Sequence, residues 1–118
     1  MSKYRLVGVD HGNRRRDRRT AMPAIDLEIE GVTYTTIDWS LGGFLAAPYE
    51  GTARAGETFP VTILVNIADH CYRHRVEAQV VRHDRMGARL AAAFVGLPAD
   101  ALDTLEGLIT GRLRRLPH

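Results

Sequence analysis

A single cysteine, Cys71, stands among 118 residues, so no internal disulfide can staple this chain and nothing in its thiol chemistry argues for secretion. Long apolar runs are missing as well. None approaches the roughly 18 residues that a membrane span needs, and Met1 to Gly12 has no apolar core of signal-peptide type. An excess of one charge is also absent: 16 basic against 14 acidic side chains leave +2, too little for a polycation that coats nucleic acid. No internal repeat is visible, and the length suits one domain around one core. These absences point to a soluble cytoplasmic domain whose partner is small or local, and neither a membrane nor a nucleic acid polymer.

What charge there is, is concentrated. Arg14 to Arg19 reads Arg-Arg-Arg-Asp-Arg-Arg, and further on stands Asp38-Trp39-Ser40-Leu41-Gly42-Gly43. A guanidinium fork bonds phosphate oxygens bidentately, matches the O6 and N7 acceptors of guanine, and stacks on a purine face. Guanine then still presents N1–H and N2–H as donors, which a carboxylate such as Asp38 can accept, and the Ser40 hydroxyl can bond in either sense. Gly42 and Gly43 allow close backbone approach where a side chain would clash. Guanine plus phosphate is the ligand chemistry these residues fit together.

Behind the arginines the chain alternates with period two. Ile25, Leu27 and Ile29 oppose Asp26, Glu28 and Glu30, Gly31 breaks the run, and Val32 to Ile37 returns as a hairpin partner. Asp38 to Gly43 reads as a turn, Phe44 to Ala47 as a short strand, and Pro48 to Gly56 as a loop. Phe59 to Ile67 is the longest alternation, with Asn66 to His70 as its turn. Val76, Ala78 and Val80 belong to a strand running to about Arg82, Asp84 to Gly87 turns, and Ala88, Leu90, Ala92 and Phe94 form the last strand. Six short strands with turn residues between them predict an all-β, closed or nearly closed antiparallel barrel. From about Ala99 to Leu116 the period changes, with Leu102, Leu105, Ile109, Leu113 and Leu116 on one helical stripe. That helix can cap the barrel or pack against a second copy of the chain, as a homodimer.

The two charged segments resemble the signature motifs of PilZ domains, an Arg-Arg-x-x-x-Arg run and an Asp/Asn-x-Ser-x-x-Gly turn. The first matches as Arg14, Arg15 and Arg19, with Arg14 and Arg18 as a competing register, and the second as Asp38, Ser40 and Gly43. Either motif alone is short; together, in this order and ahead of this strand pattern, they are specific. The resemblance covers the chain from Arg14 to Leu116 and implies a six-stranded split β-barrel with a C-terminal helix. It implies an arm at 1–13, an arginine loop at 14–22, the barrel at 23–96 and the helix at 98–116. It further implies a receptor for the bacterial second messenger cyclic di-GMP that needs no cofactor, holds no metal and catalyses nothing. Arg14, Arg15, Arg19, Asp38, Ser40 and Gly43 would then be the ligand contacts, and the arginine loop would fold over the ligand and signal to an effector in motility, exopolysaccharide synthesis or chemotaxis.

Two other readings belong to different classes: a PilZ-like adaptor that docks a protein without the nucleotide, and a nonspecific RNA or DNA binder. Asp69 to His74 holds Asp, His and Cys, yet on a strand His70 and His74 share a face while Cys71 faces away, and Arg73 and Arg75 would repel a cation. No second feature marks Cys71 as an activated thiol. Trp39 can stack on a base or fill the core, and packing is the commoner use. His11, His83, Arg82 and Arg89 read as surface residues, with the two arginines near strand ends where a further ligand contact is open.

Overall fold

The alternation at Ile25, Leu27 and Ile29 becomes strand β1, Asp26–Ile29, with Leu27 and Ile29 buried. In the computed structural model, residues 20, 24–67 and 69–113 are described. Among them six strands and one α-helix follow in the order β1, β2 (Val32–Ser40), β3 (Gly43–Ala46), β4 (Thr58–Ile67), β5 (His70–Asp84), β6 (Arg89–Val95) and α1 (Ala99–Thr110).

The strands close into an antiparallel barrel in the order β1-β2-β3-β6-β5-β4, with β4 pairing back onto β1. Four of these contacts join sequence neighbours. The other two, β3 with β6 and β4 with β1, close the ring and leave no free edge along the paired segments. Its interior is filled by Trp39, Phe44, Leu27, Ile63, Val61, Val80 and Leu90, all at most 2 % exposed. Burial at this density is the main force holding the ring closed, since each large apolar side chain contributes about 1.5–3 kcal/mol on leaving water.

Several boundaries differ from the sequence expectation. β2 runs on through Asp38, Trp39 and Ser40, so the expected Asp38–Gly43 turn shrinks to Leu41 and Gly42. Its continuation is driven by Trp39, whose ring belongs to the core. β5 begins at His70 because it pairs with β4 along the whole length of β4, from Thr58↔Gln79 to Ile67↔His70, which places Asn66, Ile67 and His70 in strands. Ala88 sits in the preceding turn with φ +52°, so the last strand starts at Arg89.

Helix α1 is shorter than the expected 98–116. Gly111 adopts a left-handed conformation, φ +82°, and its N–H donates to the Leu108 carbonyl, which ends the helix after Thr110. Leu113 then returns to the core over Gly107, where a Cβ would lie 2.8 Å from the Leu113 Cγ. Gly107 is therefore small for packing, which offsets its helix cost of about 1 kcal/mol; Leu116 lies outside the described residues.

The apolar stripe of α1, through Ala101, Leu105 and Leu108, joins the barrel core. A polar contact fixes its register on β5. Thr104 donates its hydroxyl to the Asp100 carbonyl, so its oxygen accepts from His74 Nε2 at 2.8 Å. Because Leu105 is fully buried where helix and barrel meet, Leu105→Ala should destabilise the domain by about 2–5 kcal/mol. Urea unfolding with unchanged slope is the measurement; a change under 1 kcal/mol would place the helix outside the cooperative unit.

Candidate functional site

Two irregularities in the sheet create the site. In β2, Thr36 faces Ala46 and Asp38 faces Leu45, so Ile37 is an extra residue that pairs with nothing across the ladder. Such a bulge reverses the in–out phase of the strand beyond it. Thr36 points inward, where its hydroxyl bonds the Ile25 main chain, Ile37 and Asp38 both lie outward, and Trp39 turns back into the core. β5 repeats the device: Val80 faces Ala92, Arg82 faces Ala91, and Val81 between them is 62 % exposed.

Asp38, Leu45, Ala91 and Arg82 consequently form one cross-strand row on the outer face, with Ser40, Gly43, Ala93 and Gln79 in the next. Gly43, Ala91 and Ala93 in the middle of these rows, with Leu45 beside them, sink the surface into a groove of about 440 Å³ with Asp38 and Ser40 on one side and Arg82 on the other. Gly43 in its floor has no room for a side chain. A Cβ there would run into the Ala92 carbonyl oxygen and reach within 3.0 Å of Ala93 Cα. The adjoining Gly42 carbonyl accepts from Phe94 N–H at 2.9 Å, which presses β3 onto β6. Ser40, 1 % exposed, accepts from Gly42 N–H at 3.0 Å through its hydroxyl oxygen and so shapes the turn.

The arginine run itself, including Arg14, Arg15 and Arg19, lies outside the described residues. Thr20, the residue that follows Arg19, is described and is tied to the site. Its N–H donates to the Trp39 carbonyl at 2.8 Å, and Trp39 N–H donates back to the Thr20 carbonyl at 2.9 Å. This bridge sits on the stretch of β2 beyond its pairing with β1, which ends at Thr35, so the chain from the arginines enters the fold beside the residue flanked by Asp38 and Ser40. Thr20 and Trp39, nineteen residues apart in sequence, are thereby joined.

Other positions read from sequence fall elsewhere. The indole of Trp39 is fully buried, so it packs and does not stack on a ligand in the groove. Arg89 pairs with Asp84 in the ladder, away from the groove lining. His83 is not a surface residue: half-buried, it donates from Nδ1 to the Ala53 carbonyl at 2.9 Å and meets the Tyr49 ring edge-on. Of the His/Cys stretch, His74 is engaged by Thr104, the His70 ring lies 4.2 Å from the Tyr72 ring, and Cys71 is exposed. A second hollow of about 330 Å³ carries Glu30 and Glu57 and, among its described lining residues, no basic group. Beside it, burial and then the Tyr49, Glu30 and Glu50 side chains raise the Tyr34 phenol above its ordinary pKa.

Neither a family profile nor a curated protein sequence matches the chain. Solved structures do. The PilZ domain of CeSA from a cellulose-synthesizing bacterium superposes with a TM-score of 0.56 over 80% of this chain and 97% of that one, at 17% identity. The fold is that of a PilZ domain. Escherichia coli YcgR in complex with c-di-GMP matches at a TM-score of 0.60 and 22% identity, over 86% of this chain and 46% of YcgR. Bacillus subtilis MotI/DgrA, an inhibitor of motility, matches at 0.64 and 20%, over 88% of this chain and 54% of that one. The chain therefore spans about half the length of those two proteins and nearly all of the CeSA PilZ domain. Among the described residues no helix is long and apolar enough to cross a membrane.

The crowding at Gly43 yields a test of the PilZ groove's construction. Gly43→Ala should force β3 from β6 and lower stability by about 1–3 kcal/mol, seen as a lower thermal midpoint. An unchanged midpoint would mean that the close approach is not required.

Proposed function

We propose that this PilZ-fold chain is a non-enzymatic cytoplasmic receptor for cyclic di-GMP. The observation that carries the reading is the Thr20–Trp39 bridge, which ties the residue after the arginine run to the strand whose Asp38 and Ser40 line the groove. The complex of YcgR with c-di-GMP on the same fold supports it.

In this reading Arg14, Arg15 and Arg19 supply forks for the phosphates and for the guanine O6 and N7 acceptors. Asp38, on the outer row of the sheet, accepts from the guanine N1–H and N2–H edge. Ser40 holds the turn and bonds the ligand beside it, and Gly43 keeps the floor low enough for a flat base to settle on it. No step makes or breaks a covalent bond. The output is a change in order of the arginine loop, and the ligand can shift that equilibrium only by its differential affinity for the ordered state. The ordered loop, or α1, then presents a surface to an effector protein in motility, exopolysaccharide synthesis or chemotaxis.

Titration calorimetry with cyclic di-GMP at physiological salt is the test. Measurable binding is expected, with Arg15→Ala, Arg19→Ala and Asp38→Ala each weakening it by about 1.5–3 kcal/mol. Arg18→Ala should cost less than Arg19→Ala; the reverse order would assign the other arginine register. Absence of heat would overturn the receptor reading and favour a protein adaptor that uses its arginines on an acidic partner surface.

A further inference from the structure

Each side of the groove is built by the same irregularity. On β2 the extra residue Ile37 turns Asp38 outward, and on β5 the extra residue Val81 turns Arg82 outward. In each case an exposed aliphatic side chain, 42 % exposed at Ile37 and 62 % at Val81, stands directly before the charged one. The two bulges are in register. Asp38 pairs with Leu45, Leu45 with Ala91, and Ala91 with Arg82, so the carboxylate and the guanidinium terminate a single cross-strand row.

Three interstrand steps of about 4.8 Å separate the ends of that row, roughly 14 Å between Cα atoms. Among the described residues no ion pair joins the two side chains, and both line the groove, where they can hold opposite ends of one ligand. Arg73 and Arg112 are anchored by Glu28 and Asp103. Among the described residues, by contrast, no hydrogen bond or ion pair engages the Arg82 guanidinium, although it lines the groove. An uncommitted cation facing a carboxylate across a floor of Leu45, Gly43 and the alanines at 91–93 meets a ligand with donors at one end and paired acceptors at the other.

We infer that Arg82 is a ligand-binding residue, closing the groove from the side opposite Asp38 by donating to a phosphate or purine acceptor edge of the bound nucleotide. The proposal rests on the cyclic di-GMP reading of the same groove and adds a contact that lies in neither sequence motif. Val81 contributes beside it, offering an aliphatic surface to a base face. The bulge is what makes both available at once: in a regular β5, one of the two adjacent residues would point into the core.

The experiment compares wild type, Arg82→Ala and Arg89→Ala by calorimetry with cyclic di-GMP, after thermal melts show all three equally folded. Arg89 is the control because it is exposed on the neighbouring strand and does not line the groove. Arg82→Ala should lose about tenfold to a hundredfold in affinity, the cost of removing one charged hydrogen-bond donor, while Arg89→Ala stays within about twofold by the same standard. Wild-type binding with Arg82→Ala unchanged overturns this inference and leaves the receptor reading standing. Equal losses in both variants would reduce the effect to general charge and overturn it too. If wild type does not bind, the receptor reading and the Arg82 contact fall together.

Discussion

The burial of Trp39 is the constraint on which the rest of the site depends. Its indole occupies the centre of the barrel, fully removed from water, so the position of its backbone is not negotiable. That backbone receives Thr20 through two hydrogen bonds of 2.8 and 2.9 Å, and it carries Asp38 on one side and Ser40 on the other. One core residue thus fixes where the chain arrives from the arginines and where the carboxylate stands. The Ile37 bulge reconciles this with the strand before it, because Thr36 and Trp39 can both face inward only if one residue is added between them. The core and the groove share the same few residues here, and a change that shifts Trp39 moves the groove with it.

The groove follows from backbone proximity more than from side-chain architecture. Gly43 against the Ala92 carbonyl, with Ala91 and Ala93 alongside, lets β3 and β6 form a low floor on the outer face while Phe44 and Ala92 fill the inner one. Charge is kept to the margins. The second hollow has the opposite character, with Glu30 and Glu57 in its lining, and suits an anionic ligand poorly. Helix α1 stands apart from both, held on β5 through His74 and Thr104 and ended by Gly111, and lines neither hollow.

Much of this was legible in the sequence, and what was not has physical causes. The alternation of Ile25, Leu27 and Ile29, and of Val61, Ile63 and Val65, translated directly into inward faces because period two is intrinsic to a strand. The joint presence of Arg14, Arg15, Arg19 and Asp38, Ser40, Gly43 pointed to the PilZ fold although no stretch of sequence matches a family profile. Phase slips were not legible. Ile37 and Val81 are ordinary strand residues, and nothing in a pattern of apolar and polar letters marks either as supernumerary. For that reason Trp39 looked like part of a turn, and the turning of Arg82 toward the groove left no mark in the pattern. The helix end was hidden for a related reason: the apolar stripe continues to Leu113, which is buried after the helix has stopped. Ring closure by β1 with β4 and β3 with β6 joins segments distant in sequence, and local pattern carries no record of such pairings.

The account stands or falls on the two motif segments forming one ligand site over the β3–β6 floor. Amide chemical-shift mapping during titration with cyclic di-GMP tests this most directly, since it reports position without any substitution. The largest changes should fall on Thr20, on Asp38 to Gly43 and on Ala91 to Ala93, with little at Glu30, Glu57 or the β4–β5 hairpin tip. Largest changes around the Glu30–Glu57 hollow, or none in the groove at saturating ligand, would contradict it.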